Sequence, residues 1–148
     1  MTRYRFHTTV HAKPPQVAPG NDITIDGIVV HTLDVKPMML ANSLRVSFEE
    51  AAAQLQKFPR MFVEPDGAFV WVSAQDNATA NWQVEGVLCD RGGRLMFVDL
   101  KGECTDEALQ QLLSVLGSPK SPLMFQLVRQ AVFLDECEFR RCSTVETS

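Results

Sequence analysis

The sequence predicts an α+β domain: an antiparallel sheet of about six strands, with two to three helices packed mainly on one face. Three observations predict it. Residues 60–102 hold four short runs rich in β-branched and aromatic residues: Arg60–Glu64, Ala68–Ala74, Trp82–Asp90 and Leu95–Lys101. Two of the joints between them, Glu64-Pro65-Asp66-Gly67 and Arg91-Gly92-Gly93-Arg94, are turn chemistry, because Pro presets φ and Gly adopts positive φ without steric cost. Two other segments carry apolar residues at helical spacing behind capping residues.

Taken in order, Arg3–Ala12 alternates as a half-buried strand does. Tyr4, Phe6, Thr8, Val10 and Ala12 share one face; Arg3, Arg5, His7, Thr9 and His11 share the other. Lys13–Asp22, with three prolines and Gly20, reads as a stiff loop. Ile23–Val35 is a second strand, with Asp26-Gly27 as a bulge or a break. Val46–Phe58 is a helix: Ser47 and Glu50 form a capping box, Phe48, Ala52 and Leu55 form its apolar stripe, and Pro59 ends it.

The four strands of residues 60–102 follow, split by a polar connection at 75–81. A turn centred on Gly92-Gly93 pairs Asp90 with Leu95, Leu88 with Phe97 and Gly86 with Asp99. Both faces of the hairpin then come out apolar, so each needs a cover. Thr105–Leu116 is the clearest helix, with Leu109, Leu112, Leu113 and Leu116 in one stripe and Gly117 and Pro119 beyond it. Another helix is expected from Ser121, on the spacing of Met124, Leu127, Val128 and Ala131, and a short one through Arg141. Ser143–Ser148 reads as a frayed tail. The element order is ββ-α-ββββ-α-α, in one domain spanning residues 1–148.

The 148 residues carry a net charge of −4, which opposes phosphate backbones and argues against nucleic acid as a partner. No apolar run nears the roughly 20 residues that cross a bilayer, and the basic start has no apolar region after it. Four cysteines without an export signal read as reduced thiols, and the expected location is the cytoplasm. Asn77-Ala78-Thr79 matches a glycosylation sequon, which has no meaning there.

Candidate chemistry is sparse. His7 and His11 sit ~13 Å apart on their strand, too far to share a metal; with Arg3 and Arg5 they form a basic stripe suited to an anion or an acidic partner, against the plainer reading of a solvated face. His31 stands between Val29 and Leu33 on an apolar face, as a core histidine or a general base would. Asp99 opposite Gly86 would line a small polar niche. Trp71, Trp82 and Phe97 would line an apolar cavity between sheet and helix. Cys104 lies before a helix but among acidic residues, which oppose a thiolate. Cys137 and Cys142 lack the spacing and histidines of a zinc site, so neither metal nor cofactor is expected.

With no catalytic constellation and two apolar faces, a non-enzymatic protein-protein interaction or adaptor module ranks first, with self-association as one form of it. A binder of a small apolar ligand ranks second, and an enzyme using His31 or Asp99 third.

Overall fold

The computed structural model describes residues 2–73 and 81–146. The strands are β1 (Thr2–Ala12), β2 (Ala18–Ile25), β3 (Ile28–Asp34), β4 (Met61–Val63), β5 (Ala68–Val72), β6 (Gln83–Arg91), β7 (Arg94–Thr105), β8 (Leu123–Leu127), β9 (Val132–Asp135) and β10 (Thr144–Glu146). The helices are α1 (Phe48–Gln56), α2 (Asp106–Val115) and α3 (Glu136–Ser143), with a 3-10 turn over Pro37–Ala41. One antiparallel sheet holds all ten strands, in the order β2-β3-β9-β8-β1-β7-β6-β5-β4, with β10 also pairing to β1. The expected six-stranded α+β domain is therefore corrected to a sheet-dominated fold. The polar connection at 75–81, except Asn81, and the Asn77 sequon lie outside the described residues.

Each added strand has a local cause. Asp26 and Gly27 take φ of 49° and 80°. Two successive positive φ values make a tight hairpin turn, so Ile23–Val35 is not one interrupted strand but the joint between β2 and β3. β2 also begins inside the stretch read as a stiff loop. The helix expected from Ser121 is the β8–β9 hairpin. β8 lies mid-sheet, and Leu123, Met124, Phe125 and Leu127 are all buried. A continuous apolar run of that kind fits a helix stripe as well as a strand covered on both sides. Thr144 and Val145, read as tail, pair with Tyr4 and Arg3.

The β6–β7 register is also corrected. Asp90 pairs with Leu95, but Cys89 pairs with Phe97, so Met96 is an extra residue in a bulge. Beyond it Leu88 meets Val98, Gly86 meets Leu100 and Asp99 meets Val87. A slip of one residue moves every later side chain to the other face. The bulge thus gathers Leu88, Leu95, Val98 and Leu100 into the core, and the second apolar face largely disappears.

The helices lie on that core face. Ser47 and Glu50 cap α1 reciprocally, at 3.1 and 3.4 Å, and Thr105 Oγ1 accepts the Ala108 amide at 3.2 Å to start α2. Leu109, Leu112 and Leu113 of α2 are buried, and Phe139 of α3 stacks on Phe125 with ring centroids 4.2 Å apart. Arg140 joins the layers: its guanidinium meets Asp106 and Glu136 at 3.0 Å and lies 5.6 Å from the Tyr4 ring centroid.

Among the described residues, no helix packs on the opposite face between β4 and β1. Successive residues across it are Phe62, Val70, Glu85, Lys101 and His7, and in the next row Ala68, Val87, Asp99, Thr9 and Gln126. Phe62 and Val87 are exposed there. Among the described residues, no helix is long and apolar enough to cross a membrane.

Candidate functional site

The site follows from how β1 is paired. On one side β7 accompanies it from Arg3 to His11. On the other, β10 covers Thr2–Tyr4 and β8 covers Thr8–Ala12. Among the described residues, Arg5, Phe6 and His7 have no strand opposite on that side; Val128, just past β8, donates its amide to the His7 carbonyl at 3.1 Å. A sheet interrupted in this way leaves main chain and side chains open together. A groove of about 910 Å³ lies here, lined by Arg5, His7, Lys101, Glu103, Arg129 and Trp82 among others. Asp26 at the tip of the β2–β3 hairpin and Val72 near the end of β5 also border it.

Its lining carries three cations, Arg5, Lys101 and Arg129, and two carboxylates, Asp26 and Glu103, in a chain whose net charge is −4. Glu103 is already engaged, 3.7 Å from Arg5 and 4.0 Å from the buried Arg3, whose guanidinium also donates to the Asn81 carbonyl at 3.2 Å. Lys101 and Arg129 have no carboxylate within ion-pair distance among the described residues. Of the basic stripe of β1 that alternation predicts, Arg5 and His7 line this groove, while Arg3 and His11 are buried and do not. Lys101 arrives on β7 and Arg129 on the turn between β8 and β9, both far away in sequence, and no local motif marks either.

His11 departs from the rest of that stripe. Its residue is 8% exposed, with the ring stacked on Phe97 at 5.4 Å and set edge-on to Phe133 at 5.5 Å. Burial pushes its pKa down to about 4, so it is neutral at pH 7. It lines a second cavity of about 390 Å³, closed on one side by the Pro37–Ala41 turn.

The residues singled out in the sequence do not converge. His31 is exposed, not core: its Nδ1 lies 2.8 Å from Asp22 Oδ1, and that hydrogen bond raises its pKa. Trp71 lies in the core, donating to the Pro59 carbonyl at 3.0 Å, with Trp82 edge-on to it at 4.9 Å. Phe97 and Asp99 are on the uncovered face; Asp99 Oδ1 is 3.8 Å from His7 Nε2. Trp82 alone of the five lines the groove, and Phe97 lines the second cavity. The niche expected between Asp99 and Gly86 is absent, because the Met96 bulge separates them and the Phe69 ring occupies the space over Gly86. Cys104 is buried, and that burial raises its pKa to about 12. Among the described residues, no three His, Cys, Asp or Glu side chains gather as a metal site.

Comparison with protein-family models, with curated proteins and with solved structures finds no match to this chain.

Proposed function

We propose that this chain is a non-enzymatic interaction module whose uncovered sheet face docks an acidic, partly apolar segment of a partner protein. The observation that carries this reading is the groove at the interruption beside β1, lined by Lys101, Arg129 and Trp82, where neither cation has a carboxylate partner among the described residues. Cations held in a concave, partly apolar site favour an anionic group and add specificity to the contact. Val72, Val70 and Phe62 extend from the groove over β5 and β4 and supply the apolar part of the surface. Arginine and aromatic side chains are the residue types that interfaces favour.

Calorimetric titration with a short peptide alternating glutamate and leucine tests this, with glutamine replacing glutamate in the control. The acidic peptide is expected to bind, to weaken with added salt, and to lose roughly tenfold or more in affinity in the double variant K101E/R129E. Equal binding of the control peptide, or no effect of the double variant, would overturn the reading. Light scattering adds one outcome: a dimer that the acidic peptide dissociates makes a second copy of the chain the native occupant of this face.

A further inference from the structure

We propose that the cavity beneath the Pro37–Ala41 turn is a second binding site, for a small neutral aromatic molecule carrying one hydroxyl group that hydrogen-bonds to His11.

Its walls are mostly apolar: Phe97, Met96, Pro37 and Leu40, with Cys89 beside them. The Met96 bulge contributes to its shape, since an extra residue in one strand re-aims a side chain that regular pairing would fix. An apolar cavity of about 150 Å³ is enough to take a benzene ring. The space of about 390 Å³ here therefore admits a two-ring molecule.

The polar recognition comes from His11. Its Nε2 is 2.7 Å from Thr9 Oγ1. Its Nδ1 has no protein partner among the described residues. No fully buried side-chain nitrogen or oxygen among them lacks a partner, so Nδ1 is at least partly accessible, and the cavity that His11 lines offers room for a partner to it. The bond to Thr9 fits either imidazole tautomer. A hydroxyl both donates and accepts, so it satisfies Nδ1 in both cases. Asp90 and Arg91 at the rim have opposite charges, which selects neither anion nor cation and favours a neutral ligand. This site shares no lining residue with the groove, so its test is independent of the interaction reading.

The probe is 2-naphthol, compared with naphthalene, followed by NMR of the amides and of the His11 ring. Saturable shifts are expected at His11, Cys89, Met96 and Leu40. Losing one net hydrogen bond of ~1 kcal/mol corresponds to roughly fivefold, so naphthalene and the variant His11→Phe should each weaken binding by about that factor. Ala41→Trp, on the exposed turn and away from the sheet core, should fill the space and abolish binding while leaving the fold intact. Equal affinity for the two probes would overturn the role of His11. Unchanged affinity in Ala41→Trp, or shifts centred elsewhere, would overturn the site.

Discussion

Gly86 and Phe69 face each other across β6 and β5, and the Phe69 ring lies where a Gly86 side chain would go: a Cβ built there would stand 2.1 Å from Phe69 Cζ. Phe69 is 3% exposed and cannot swing aside. The glycine is required for space, since its φ is not in the left-handed region. Gly86→Ala should therefore cost ~1–3 kcal/mol through overpacking, measured by urea unfolding. Phe69→Leu in the same chain should restore part of that loss, giving a coupling energy in a double-mutant cycle. Additive losses would show that the two side chains do not compete for the same space.

This pairing also shows where the sequence stopped being informative. The turn at Gly92-Gly93, the caps at Ser47 and Thr105 and the face alternation of β1 are local chemistry, and all are present as expected. The Met96 bulge is not local. It is set by which register buries Val98 and Leu100, and a one-residue slip moves Phe97 and Asp99 together to the other face. β8 misleads for a related reason, because a strand covered on both sides loses the alternation that identifies strands. The candidate site was half legible: Arg5 and His7 follow from alternation, while Lys101 and Arg129 join them only through long-range pairing.

The two buried or bonded histidines should give stability opposite pH dependences. The folded pKa of His11 is lowered to about 4, against 6.5 unperturbed. Between those values the unfolded chain holds a proton that the folded chain does not, so stability rises with pH across the window and is lost as pH falls toward 4. The contribution is at most ~3 kcal/mol. His31 is raised by its bond to Asp22, so its contribution is fully present below pH 6.5 and fades as pH rises through its folded value. Urea midpoints against pH should flatten on the acid side in His11→Phe and on the alkaline side in Asp22→Asn.

The β2–β3 hairpin should open separately from the rest of the sheet. A single residue pair, Leu33 with Phe133, joins β3 to β9. Past it, α3 takes over: Glu138 Oε1 accepts the His31 amide at 3.3 Å, and Arg141, bonded to Glu138, donates to the Val29 carbonyl. Glu138 is 8% exposed, so removing its carboxylate leaves Arg141 and the strand amide short of partners. Glu138→Ala should speed amide hydrogen exchange in residues 22–31 by roughly tenfold or more, corresponding to ~1.4 kcal/mol or more. Exchange in β1 and β7 should change much less. A uniform increase throughout the sheet would mean that the hairpin is not an independent unit.

Thr105 starts α2 by accepting the Ala108 amide, and it is also the last residue of β7. Thr105→Ala should cost ~1 kcal/mol in chemical unfolding, with Thr105→Asp restoring most of it, since aspartate caps as well. No recovery with aspartate would assign the loss to packing at the strand end instead of to capping.

The most direct measurement for the interaction reading is an amide-resolved NMR titration of the unmodified chain with the acidic alternating peptide. Saturable shifts concentrated at Arg5, His7, Trp82, Lys101 and Arg129, and weakened by salt, are the expected result. Saturable shifts centred on the helix-covered face, or no shifts along β1 and β7, would contradict it.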